Sequence, residues 1–130
     1  MSTHMDPTSA YLDRTDTVWI ATPLATGQEK TTPIWAVVVE GTPYIRSGLG
    51  PDAKWYRRAL RAGRAAFLAG PRRLDVALER VTDAALDAAV HQAYQRKYGP
   101  SEPTRVMTAS PARETTLRVL PLKTEADHAL

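Results

Sequence analysis

The chain contains no cysteine. Disulfides, thiolate catalysis and cysteine-ligated zinc or iron–sulfur centres are therefore excluded. Histidine is scarce: His4 and His128 sit near the ends, and His91 falls on the polar side of a helical stretch. No H-x-x-x-H or paired-carboxylate pattern appears, which argues against a metal site. Without a G-x-S-x-G elbow or a partner histidine, a serine triad has no parts. No apolar run reaches the roughly 18 residues of a membrane span, and no secretory leader is visible. The expectation is a cytoplasmic protein with no membrane partner.

One stretch lacks acid altogether. Lys54 to Arg73 holds seven basic residues and no carboxylate, although the net charge of the 130-residue chain is only +3. Such a patch points to an anionic ligand. Few aromatics interleave with the basic residues and no nucleic-acid motif is present, so nucleic acid is not the expected partner. Arginine far outnumbers lysine and alanine is frequent, a bacterial-type composition. The length suits one domain with its own core.

Periodicity divides the chain into a flexible N-terminal segment (1–14), a folded domain (15–121) and a tail (122–130), with one helical turn allowed over Pro7 to Leu12. Thr15–Thr22 reads as a strand with Val18 and Ile20 on one face and Trp19 on the other. A loop follows to Lys30. Thr31–Glu40 is a nearly continuous apolar strand, as when both faces are covered. Gly41-Thr42-Pro43 turns the chain, and Tyr44–Ser47 returns antiparallel. Arg64–Ala69 and Leu74–Val81 form a second hairpin about Gly70-Pro71. Thr82 caps a helix that runs to Tyr98 and stops at Gly99-Pro100. A loop over 101–112 leads to a last strand, Thr115–Leu120. The expected class is mainly β with two helices. Six antiparallel strands in the order β-ββ-α-ββ-α-β close into a small barrel, which removes exposed edges.

The most informative stretch is RSGLGPDAKWYRRALRAGR, Arg46 to Arg64. It leaves a strand, crosses a Gly/Pro loop and enters a helix with Asp52 as N-cap and Gly63 as αL terminator. Lys54, Arg57, Arg58 and Arg61 recur at helical spacing as a basic stripe, while Trp55, Ala59 and Ala62 face a core. A glycine loop opening a helix, flanked by Arg46 and Lys54, suits an anion such as a phosphate; a merely solvated basic face is the other reading. Trp19, Trp35 and Trp55 read as core or barrel-end residues, and Tyr94 and Tyr98 as packing residues. Glu29 and Lys30 lie in the loop before the Thr31–Glu40 strand, within reach of the cleft. No residue is assigned a catalytic role.

The segment TTPIWAVVVEGTPYIRSGLGPDAKWYRRALRAGRAAFLAG resembles the centre of the FMN-binding split-barrel superfamily. It is similar to the pyridoxamine-phosphate-oxidase-like and deazaflavin-dependent branches. It most resembles a small family of unknown function that shares the W-Y helix start and a late Y-x-x-K-Y, here Tyr94 to Tyr98. The resemblance spans Val18 to Pro121 and implies a split β-barrel, homodimeric, with cofactor sites at the subunit interface. By position it implies that Arg46, Ser47, Gly48, Lys54 and Arg58 hold a flavin phosphate. Thr31, Thr32 and Trp35 then lie near the ring edge, with Trp55 behind the phosphate loop. The implied function is that of a flavin- or deazaflavin-binding oxidoreductase acting on a small molecule, the cofactor being FMN, a deazaflavin coenzyme or none. Arg58-Ala59-Leu60 and Ala62-Gly63-Arg64 depart from the deazaflavin pattern. They leave open a cofactor-free relative that binds or transforms an anionic small molecule.

Overall fold

The computed structural model describes residues 5–122. Helix α1 (Pro7–Arg14) leads into strands β1 (Val18–Pro23), β2 (Glu29–Ile34), β3 (Ala36–Val39) and β4 (Thr42–Ile45). A 3₁₀ turn over Gly50–Asp52 precedes α2 (Lys54–Ala62), and β5 (Arg64–Ala69) and β6 (Arg72–Arg80) follow as a hairpin. Helices α3 (Ala84–Tyr98) and α4 (Glu102–Thr108) precede the final strand β7 (Leu117–Pro121). The strands form one antiparallel sheet in the order β2-β1-β5-β6-β7-β4-β3. Seven strands replace the expected six because the single strand expected over Thr31–Glu40 is two.

The break between those two strands explains the barrel. β2 and β3 stand at opposite edges of the sheet, yet only Trp35 separates them in the chain. A residue advances the backbone by about 3.8 Å, so the two edges must come together. The sheet curls into a split barrel. Pro33, which has no N–H to give to a ladder, lies in the edge strand β2, where Thr31 and Pro33 are exposed rather than covered on both faces.

Helix α3 fastens this corner. Tyr94 Oη donates to the Trp35 carbonyl at 3.2 Å, and Lys97 Nζ donates to the carbonyls of Ala36 and Leu12, both at 2.6 Å. Tyr98 Oη donates to the Asp16 carbonyl at 2.6 Å and accepts the Ala36 N–H at 3.3 Å. Its ring stacks on Trp35 with centroids 3.8 Å apart and planes 2° from parallel. All three named residues of Y-x-x-K-Y therefore act on one bend of the backbone. Burial pushes the Lys97 ammonium below its ordinary pKa, with Asp13 and Asp16 opposing the shift.

Inside the barrel, Val18, Ile20, Ile45, Phe67, Val76, Leu117 and Val119 are buried together with Leu12 of α1 and Trp55, Tyr56 and Ala59 of α2. A second cluster joins Val37 and Tyr44 to Val90, Ala93 and Tyr94 of α3 and Met107 of α4. Trp19 departs from the expected core or barrel-end role: it projects from the outer face, 48% exposed.

Several boundaries also differ. The expected flexible segment contains α1, capped by Asp6, whose carboxylate accepts from Ser9 N–H, with Leu12 in the core; residues 1–4 lie outside the described residues, as do 123–130 of the expected tail. Asp52 belongs to the 3₁₀ turn, and Ala53 is the N-cap of α2. Asp83, not Thr82, caps α3 by accepting from Leu86 N–H. The loop expected over 101–112 contains α4, started by Ser101, whose hydroxyl accepts from Thr104 N–H. No helix among the described residues is long and apolar enough to cross a membrane.

Candidate ligand-binding cleft

Where β2 ends and β4 leaves the sheet, the chain surrounds a cleft of about 440 Å³. Its walls come from the β2–Trp35 corner, the segment Arg46–Leu49 after β4, Trp55 at the start of α2, and Pro103, Val106 and Met107 of α4. That size lies within the range typical of small-molecule sites, about 300–1,000 Å³. The lining is mostly apolar and aromatic. Leu49, 81% exposed, and Val106, 43% exposed, belong to the same wall.

Ser47, with Thr32 and Arg46, is an exception to this apolar character. It is fully buried and its backbone N–H donates to Thr115 Oγ1 at 2.8 Å. Its own Oγ has no hydrogen-bond partner among the described residues. An unpaired buried hydroxyl costs stability, and here it belongs to a residue of the cleft wall.

Arg46 has the opposite character. Its side chain is completely buried. Nε donates to Thr116 Oγ1 at 2.8 Å, Nη1 to the Met107 carbonyl at 3.0 Å, and Nη2 to the Asp87 carbonyl at 3.2 Å and Asp87 Oδ1 at 2.6 Å. The guanidinium also lies over the Tyr94 ring, 5.6 Å from its centroid. Burial pushes the Arg46 pKa below its ordinary value and the Asp87 charge opposes that shift. Arg46 thus ties β4 to α3 and α4.

The loop beyond Ser47 needs a close backbone approach. Gly50 has φ +80°, and a Cβ placed there would lie 2.7 Å from Pro111. Gly48 is different: its would-be Cβ points at Met107 Sδ (3.4 Å) and Val106 Cγ1 (3.9 Å), ordinary contacts on the cleft wall.

Of the residues singled out in the sequence, the structure brings Thr32, Trp35, Arg46, Ser47, Gly48 and Trp55 to one cleft. Thr31, Lys54 and Arg58 are not on its wall. Arg58 Nε instead donates to Thr22 Oγ1 on β1 at 2.9 Å, and Lys54 is exposed. The expected phosphate set, Arg46 with Lys54 and Arg58, is not assembled around this cleft by one chain. Sequence reasoning missed Pro103, Val106 and Met107. Ser101 followed by Pro103 in the first helical turn was the available signal for α4. A larger groove, about 740 Å³, lies between the β1–β2 connection and Arg64 and Arg73. Arg73 is paired there with Glu29. Among the described residues no cluster of three or more His, Asp or Glu could hold a metal ion.

The family model for an uncharacterized protein conserved in bacteria, DUF2255, matches residues 10–119. The chain belongs to the DUF2255 family. Among solved structures, this DUF2255 chain is similar to the heme storage protein HutZ of Vibrio cholerae, with a TM-score of 0.67 and 14% identity over 94% of this chain and 93% of that one. It is similar to a conserved hypothetical protein of Mycobacterium tuberculosis, with a TM-score of 0.60 and 18% identity over 94% and 82% of the two chains. It is also similar to an F420-H2 dependent reductase, with a TM-score of 0.61 and 17% identity over 91% and 99%. These likenesses place the DUF2255 chain in the split-barrel fold. No curated protein sequence matches it.

Proposed function

We propose that this protein holds the ring system of a flavin or deazaflavin in the Trp35–Ser47–Trp55 cleft and serves an oxidoreductase-type reaction on a small molecule. The observation that carries this reading is a mostly apolar cleft of about 440 Å³ walled by two indoles, Trp35 and Trp55. A planar heteroaromatic ring matches that wall: its faces suit tryptophan and aliphatic surfaces, and its edge carries acceptors and donors. The reductase among the structural neighbours agrees with a deazaflavin-type ligand.

The fit is to the ring and not to the phosphate. Arg46 is turned inward, and Lys54 and Arg58 are off the wall. When bound, the ring supplies hydride or electron transfer. The protein's part is binding and orientation. The indoles of Trp35 and Trp55 provide apolar surface, and α4 closes one side against water. Leu49 and Val106 leave apolar surface on the cleft wall, where a second copy of the chain is the expected cover.

The test is an absorbance spectrum of freshly purified protein, before and after incubation with a flavin and desalting. The reading expects a retained flavin band near one equivalent per chain. A featureless spectrum in both samples overturns it.

A further inference from the structure

Resting on that ring reading, we infer that Tyr98, which is not on the cleft wall, is a positioning residue for the ligand: its ring holds the Trp35 indole in the orientation that the cleft uses. Trp35 has an unusual place for a binding residue. It stands alone between β2 and β3, strands at opposite edges of the sheet, and is half-buried. It belongs to neither strand, so no cross-strand neighbour fixes its indole.

Helix α3 supplies what the sheet does not, and divides the task between two tyrosines. Tyr94 Oη donates to the Trp35 carbonyl at 3.2 Å and so fixes the backbone. Tyr98 fixes the side chain, with ring centroids 3.8 Å apart and planes 2° from parallel. Tyr98 is itself held in place. Its Oη bonds the Asp16 carbonyl at 2.6 Å and the Ala36 N–H at 3.3 Å. The Tyr94 ring packs 6.0 Å from its ring, and Lys97 Nζ sits 5.2 Å from its centroid. Because the stack covers one face of the indole, Trp35 meets the cleft with its remaining surface.

The effect is preorganisation. An indole free to change rotamer must be ordered when a ring binds it, and ordering one such side chain weakens a complex about two- to twelvefold. Stacked on Tyr98, the indole is ordered before a ligand arrives. This contribution depends on the plane of the tyrosine ring and not on its hydroxyl. Phenylalanine offers the same plane, whereas leucine fills space without one.

The experiment is calorimetric titration of riboflavin into the full-length protein and its Tyr98→Phe, Tyr98→Leu and Lys97→Met variants, at a temperature where melts show each to be folded. Tyr98→Leu should weaken binding about three- to tenfold, and Tyr98→Phe should bind within about twofold of wild type. Lys97→Met loosens the same corner but leaves the stack. Its affinity should therefore stay within about twofold of wild type although its stability falls. Tyr98→Met, which also lacks a plane, takes the place of Tyr98→Leu if that variant does not fold. Wild-type affinity without the tyrosine plane, or an equal loss in Tyr98→Phe or Lys97→Met, overturns the inference and leaves the ring reading intact. Absence of riboflavin binding by wild type overturns the ring reading and this inference with it.

Discussion

Arg46 Nη2 stands 2.6 Å from Asp87 Oδ1, joining the exit of β4 to the first turn of α3. The same arginine bonds Met107 in α4 and Thr116 just before β7. One buried side chain thus holds the back of the cleft together. Truncating it strips Asp87 of one of its two arginine partners, leaves the Met107 carbonyl and Thr116 hydroxyl without their donor and empties a fully buried volume. Arg46→Ala should therefore cost on the order of 2–4 kcal/mol in urea unfolding, chiefly from the lost buried hydrogen bonds and the cavity left behind. A variant of wild-type stability that had lost only ligand affinity would contradict this structural role.

The same pair sets an acid limit. Burial pushes the Asp87 carboxyl up, but hydrogen bonds and charge from Arg113 and Arg46 outweigh it and hold the pKa below its ordinary 3.8. The unfolded chain then takes up the proton first as pH falls. The stabilisation is complete above the unfolded value and is lost as pH drops through the lower folded one. Unfolding free energy measured against pH should show this loss in wild-type protein and a flatter acid limb in Asp87→Asn. Parallel limbs would exclude Asp87 as its source.

The corner between β2 and β3 is the next point of control. Lys97→Met keeps the stem and removes the donor to Ala36 and Leu12; Tyr98→Phe keeps the stack on Trp35 and removes the hydroxyl. Each should destabilise by about 1–3 kcal/mol. Because both act on Ala36, a double-mutant cycle should show coupling of about 0.5–3 kcal/mol. Strict additivity would mean that the two side chains do not share one structural task.

Two neighbouring glycines should behave oppositely. Gly50→Ala forces a Cβ into Pro111 at φ +80° and should cost more than about 1 kcal/mol. Gly48→Ala meets only ordinary contacts and should stay within about 0.5 kcal/mol of wild type. Thermal melts of the two variants decide this, and equal losses would contradict the different surroundings assigned to these glycines.

Local patterns in the sequence reveal much of the fold. Alternation in Leu74, Asp75 and Val76, the Gly63 terminator and the late α3 tyrosines all match what forms. The division of Thr31–Glu40 at Trp35 was not legible, because an unbroken apolar run does not show that its two halves pair with opposite edges. The role of Arg46 was also hidden. A strand-end arginine before a glycine loop looks like an anion ligand, and its actual partner, Asp87, lies 41 residues away with no local mark. Ser47, Gly48 and Trp55 share one cleft wall, a grouping legible from the sequence because the loop-to-helix pattern is local. Met107 and Val106 reach that wall from α4, a seven-residue helix too short to show a clear apolar period.

The most direct measurement is calorimetric titration of riboflavin into wild-type protein and into Gly48→Leu, whose added side chain grows toward Met107 and Val106 on the cleft wall. Binding of one riboflavin per wild-type chain is expected, with a loss of about tenfold or more in a Gly48→Leu protein that melts close to wild type. Equal affinity in the two proteins, or no binding to wild type, would contradict assignment of the ligand to this cleft.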